Sequence, residues 1–205
     1  IWAYRCGNGT SVFHNSGLCY EWIYCGILFQ SVLYAMPVGI AAPRCAGAIE
    51  VDDGPRALAS DREVEDYYET FYGYFKDWAR RYGFKASFYL IFSYSGDGND
   101  FWSRREPLEW AVDIVRSGFE LGLHGGTCHT PLKVGPGYWD SYDAIKGEVR
   151  AAMELWRRLQ YTALETYGIK IGGPTSYAAP MNEIDENGYR AIAELTPIKY
   201  VGTLW

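Results

Sequence analysis

Two spacings of apolar residues alternate along the chain from residue 46 onward. Short continuous runs of strand length cover Ala46–Asp52, Ala86–Ser93 ("ASFYLIFS"), Phe119–Leu123, Ser176–Ala179 and Lys199–Leu204. Between them, apolar residues return every three or four positions, which predicts helices. Ser60 and Glu63 form a capping-box start, Val64, Tyr67, Tyr68, Phe71, Tyr72, Phe75, Trp78 and Tyr82 recur at helical spacing, and Gly83 stops the run. Ser103 and Glu106 open a second helix ending at Gly118. A long one spans about Ser141 to Tyr167, and a last one Ile184–Leu195. Strands with near-continuous apolar character alternating with helices predict a parallel α/β sheet, open or closed into a barrel. Five strands are fewer than a closed barrel of eight needs. The strand pattern runs to Trp205, so an incomplete barrel is expected.

The first 45 residues differ in character. Ile1–Arg5, a turn at Gly7-Asn8-Gly9-Thr10 and Ser11–His14 read as a hairpin, followed by an apolar stretch Leu18–Met36. That stretch has nearly the length of a membrane span, yet it contains Glu21, Gln30, Ser31 and Gly26 and lacks basic flanks, so a buried helix is the better reading. The protein is therefore expected not to be an integral membrane protein. The organisation expected is a segment 1–45, the end of a preceding domain or an elaboration of the barrel rim, and an α/β domain 46–205.

Composition narrows the function. A net charge of −6 without a basic cluster argues against a nucleic-acid partner. Four of the five cysteines (Cys6, Cys19, Cys25, Cys45) precede residue 46, a pattern compatible with local disulfides in an exported protein or with buried thiols; a secreted, periplasmic or cell-surface location is expected. Asn8-Gly9-Thr10 fits a glycosylation acceptor by pattern and a turn by context.

Chemistry collects at the carboxyl ends of the predicted strands, where parallel α/β folds keep their sites. The first strand ends on Asp52-Asp53 before Gly54-Pro55, the third ends in "LGLHGGTCHT" with His124 and His129, and the fourth in "SYAAPMNE". Two adjacent carboxylates in a strand point to opposite faces, so a turn at Gly54-Pro55 is needed to bring both to one site. One carboxylate and two imidazoles suit Zn²⁺ or a similar ion, leaving the other carboxylate as a base.

"VDDGP", "ELGLHGGTCH" and "YAAPMNEIDENGYRAI", in this order, resemble the polysaccharide deacetylase family of metal-dependent carbohydrate esterases over about residues 46 to 205. The resemblance implies a distorted (β/α) barrel and hydrolysis of N-acetyl groups on an amino-sugar polymer. By motif position it implies Asp52 as catalytic base, Asp53, His124 and His129 as metal ligands, and a substrate-contacting third motif of Tyr177, Pro180 and Asn182. Several features depart from the family. The histidines are five positions apart rather than four, which puts Cys128 at the usual position; no Arg precedes Pro180; and no His follows His129. The acid for the leaving amine is thus supplied by a further part of the protein or by another group, or the chain is a degenerate carbohydrate-binding module; ester hydrolysis on the same metal is a third reading. Trp102, Tyr138 and Trp139 are candidates for sugar stacking, or for packing.

Overall fold

Five short parallel strands, laid side by side in the order in which they occur in the sequence, carry the main part of the chain. A computed structural model describes residues 2–6, 9–13, 49–94, 96 and 98–202. The chain divides into two compact units, Ile1–Gly47 and Ala48–Trp205. In the first, β1 (Trp2–Cys6) and β2 (Gly9–Phe13) form an antiparallel hairpin with Cys6 opposite Gly9. The expected helix over Leu18–Met36, as well as Asn8, His14, Cys19, Cys25 and Cys45, lies outside the described residues.

The second unit runs β3 (Glu50–Val51), α1, β4 (Ser87–Leu90), α2 (Glu106–Arg116), β5 (Glu120–His124), α3 (Tyr142–Tyr167), β6 (Ser176–Ala178), α4 (Glu186–Leu195) and β7 (Tyr200–Gly202). α1 joins Asp61–Glu63, a π-helical stretch Val64–Phe71 and Tyr72–Tyr82. Each strand is added beside its predecessor through a helical crossover, and the order never reverses. A doubly wound sheet reverses its order at a switch point; unbroken order with crossovers of one hand puts the helices on one face and gives half of a barrel.

The side chains follow that division. Val51, Phe88, Leu90, Leu121, Leu123 and Tyr177 join the helices in one buried apolar cluster. Phe75 of α1 packs edge-on against Phe84, Phe88 and Phe119, with ring centroids 5.1 to 5.6 Å apart, a geometry that the ring quadrupoles favour. The alternate strand positions, Ser87, Tyr89, Glu120, Gly122 and Ser176, face the other way. There Glu120 accepts hydrogen bonds from the hydroxyls of Ser87, Thr175 and Ser176. A Cβ on Gly122 would stand 2.6 Å from Ser176 Oγ and 2.7 Å from the Tyr89 ring, so only glycine fits.

Two expectations need correction. Ser60 does cap α1, accepting from the Glu63 N–H, but Tyr67, Trp78 and Tyr82 are exposed; the buried stripe is Val64, Tyr72, Phe75 and Ala79. The wider π winding of Val64–Phe71 shifts the phase that a 3.6-residue period assumes. Ser103 does not cap α2, which begins after Arg105; its hydroxyl donates to the Asp100 carbonyl and closes the short 3₁₀ turn Asn99–Trp102. The cap of α4 is Asp185, whose carboxylate accepts from Gly188 N–H.

Candidate metal centre

The carboxyl ends of β3, β5 and β6 meet at one edge of the sheet. Val51 continues β3 into the core, and the chain turns immediately afterwards: Asp53 adopts φ +56°, the left-handed region that Asp tolerates better than most residues. The turn is bound to β4 by the Gly54 N–H on Tyr89 O at 3.2 Å and by the Ile91 N–H on Pro55 O at 3.0 Å. The backbone reversal that two adjacent acids require is therefore seated on Asp53 itself.

His124 is the last residue of β5 and is buried. Its Nδ1 lies 2.9 Å from the Ala178 carbonyl of β6, which can only accept, so Nδ1 carries the proton and Nε2 the lone pair. His124 Nε2 stands 3.0 Å from His129 Nε2 and 3.4 Å from Asp53 Oδ1, and His129 Nε2 is 3.7 Å from the same oxygen. Two donors about 2.0–2.1 Å from one tetrahedral zinc ion stand about 3.3 Å apart, and the observed separations bracket that value. Asp53 Oδ1 is buried and accepts no hydrogen bond among the described residues, so an atom that ought to have a partner faces two imidazole nitrogens. Nitrogen, nitrogen and carboxylate oxygen are a donor set that fits a divalent cation.

Charge is tuned to match. The His129 pKa is lowered by burial and then by His124, against the opposing pull of Asp53 and Asp52, which keeps its lone pair available. Asp52 retains solvent access, yet burial of its carboxyl pushes its pKa up; His124 pulls it down, Asp53 raises it and His129 lowers it.

The five-residue spacing between the histidines is accommodated by a loop wound around Glu148 of α3. This buried carboxylate accepts from the Thr127 N–H at 2.5 Å, the Thr127 hydroxyl at 2.9 Å and, more weakly, the Cys128 N–H at 3.4 Å. Gly125 takes φ +78°, and a Cβ on Gly126 would stand 2.3 Å from Glu148 Oε1. Cys128 turns its sulfur toward Thr130 Oγ1 and Glu148, and burial raises its pKa, so the thiol is not part of the three-donor cluster.

The third motif is placed less simply. Tyr177 is fully buried, and its hydroxyl has no hydrogen-bond partner among the described residues; it presents no ring face to a sugar. Pro180 is buried against Gly125, whereas Asn182 is exposed in the left-handed region at φ +59°. Tyr138 and Trp139 anchor their own loop, through the Glu183 carboxylate and the Pro131 carbonyl, and Arg158 covers the Trp102 ring at 4.2 Å. Sequence reasoning missed Glu148, Arg56 and Tyr94. The last lies against the site, with its pKa pushed up to about 12 by burial and then by Asp53.

A family model described as "Uncharacterised protein conserved in bacteria (DUF2194)" matches residues 1–205, and the chain belongs to that family. No curated protein matches it. Among solved structures, it is similar to a mutant of BA3943, described as a CE4 family pseudoenzyme with restored enzymatic activity (15% identity, 78% of this chain and 45% of that one, TM-score 0.48). It is also similar to wild-type BA3943, described as a CE4 family pseudoenzyme from Bacillus anthracis (16% identity, 78% and 43%, TM-score 0.47). The chain thus spans less than half the length of either structure.

Proposed function

We propose that the chain is a metal-dependent hydrolase that removes N-acetyl groups from an amino-sugar polysaccharide. Asp53, His124 and His129 would hold the cation, with Zn²⁺ first among the candidates because the donors are two imidazoles and one carboxylate. The observation that carries this reading is the convergence of three lone-pair atoms within 3.0 to 3.7 Å of one another at a strand-end rim. When bound, such a cation polarises a carbonyl and acidifies a water.

The chain's own residues do the rest. Asp52, next in sequence to Asp53 and open to solvent, would accept a proton from the attacking water. The products are acetate and a free amine. Asn182, at the surface after β6, and Pro180, buried against Gly125, would meet the substrate, with Tyr177 in the core beneath that segment. The acetamide and the amino-sugar polymer are supported by the motif resemblance in the sequence. The early cysteines and that substrate class support a secreted, periplasmic or cell-surface location.

A second reading, a carbohydrate-binding module that keeps its metal without turnover, is favoured by one observation: the third motif has no arginine before Pro180 to orient the base. One experiment separates the two. Metal content and acetate release are measured on N-acetylglucosamine and N-acetylgalactosamine oligomers for wild type and Asp52→Asn. Hydrolysis predicts stoichiometric metal in both and a loss of about 10²-fold or more in Asp52→Asn. Metal without acetate from any oligomer supports the binding module. Turnover of aryl acetates but not N-acetyl sugars points to an esterase.

A further inference from the structure

Two residues from the exits of neighbouring strands meet beside the candidate metal centre. Arg56 lies three positions after Asp53, and Tyr94 follows β4. The backbone bonds between the β3 exit turn and Tyr89 and Ile91 keep these segments side by side. Arg56 Nη1 donates to the Tyr94 hydroxyl oxygen at 2.7 Å. The guanidinium is itself held, 4.1 Å from the Tyr67 ring centroid and 3.7 Å from a Glu63 carboxylate oxygen.

A guanidinium has donors only, so it occupies a lone pair of the phenol and leaves the phenol's own proton to be given elsewhere. The Asp53 carboxylate lies beside the phenol and raises its pKa, so it is the acceptor nearest to hand. The Tyr94 ring also packs against the His129 imidazole, with centroids 5.5 Å apart and planes inclined by 52°. Tyr94 therefore packs on one of the three candidate donors and borders a second, and Arg56 fixes Tyr94. Its ring is 44% exposed, so little core packing depends on the hydroxyl.

We infer that Arg56 and Tyr94 are positioning residues of the metal centre, Tyr94 orienting Asp53 through its hydroxyl and bracing His129 with its ring while Arg56 holds the phenol in place. This rests on the metal-binding part of the proposed function. Ligand carboxylates and imidazoles depend on such outer partners, whose removal weakens metal binding by about 10- to 100-fold.

The test is Zn²⁺ affinity of the full chain, by competition with a chromophoric chelator, together with the melting temperature of the metal-free protein. Tyr94→Phe keeps the ring and loses only the hydroxyl; it is expected to weaken Zn²⁺ binding about tenfold with an unchanged metal-free melting temperature. Arg56→Met keeps the length and removes the donors. It is expected to weaken binding less, and the double variant to bind no more weakly than Tyr94→Phe, because the arginine acts through the tyrosine. Wild-type affinity in Tyr94→Phe, or additive losses in the double variant, overturns the inference while leaving the metal site intact, provided that His129→Ala abolishes binding. Failure of the wild type to bind Zn²⁺ overturns the metal reading itself.

Discussion

Replacing Glu148 tests how the loop between the two histidines is held. Its Oε1 takes two short hydrogen bonds from Thr127 and a longer one from Cys128 N–H, in a site where the glutamate is 9% exposed. Glu148→Gln keeps an acceptor oxygen but removes the charge. Bonds to charged groups contribute about 1.5–3 kcal/mol and neutral ones about 0.5–1.5, so the two short bonds lose about 2 kcal/mol in total. Glu148→Leu removes the acceptor altogether and strands two backbone N–H groups and a hydroxyl, each costing about 1–3 kcal/mol, so a loss of about 4 kcal/mol is expected. Urea unfolding at neutral pH, read from the shift in midpoint at constant slope, measures both. The order wild type, Gln, Leu is the expected result, with Zn²⁺ affinity falling in the same order because His129 rides on this loop. A Leu variant within about 0.5 kcal/mol of wild type, the usual spread of inert surface changes, would refute the idea that the carboxylate organises the loop.

Three further outcomes follow from the same geometry. Gly126→Ala pushes a methyl to 2.3 Å from Glu148 Oε1 and is expected to destabilise by about 1–3 kcal/mol in the same urea assay; wild-type stability would show that the carboxylate can move aside. Gly188→Ala meets the Leu132 carbonyl at 2.1 Å, backbone rather than side chain, and should lower the melting temperature by separating α4 from the loop between β5 and α3. Glu120 has a lowered pKa: burial raises it, but the hydroxyls of Ser87, Thr175 and Ser176 together outweigh burial. Its folded value lies below the unfolded one, so its contribution is present above the unfolded value of about 4.3 and is lost as pH falls through the folded value. The stability gap between wild type and Glu120→Gln should therefore narrow below about pH 4, and a gap independent of pH would contradict the assignment.

The alternation of strands and helices was legible because parallel strands under helices bury apolar runs, and α2 and α3 keep a 3.6-residue period. α1 was legible in extent but not in phase, because no residue pattern announces the π winding of Val64–Phe71. Asp53, His124 and His129 were legible as polar residues ending apolar strands. Glu148 carried a signal that was overlooked: it lies on the same helical face as Ile145, Val149 and Ala152, where a charge needs buried partners. Arg56 and Tyr94 sit in irregular segments without periodicity, so their meeting depends on strand order alone. Tyr177 misled because a strand buried on both sides gives no parity rule for which residues face the site; it points into the helix-covered core, and Ser176 and Ala178 point the other way.

The most direct test is X-ray absorption at the zinc edge of the Zn²⁺-loaded protein. Two imidazole nitrogens and light oxygen scatterers at about 2.0–2.1 Å in the wild type, with no stoichiometric zinc retained by His129→Ala, are the predicted result. A sulfur at about 2.3 Å, or no stoichiometric zinc in the wild type, would contradict a centre built from Asp53, His124 and His129.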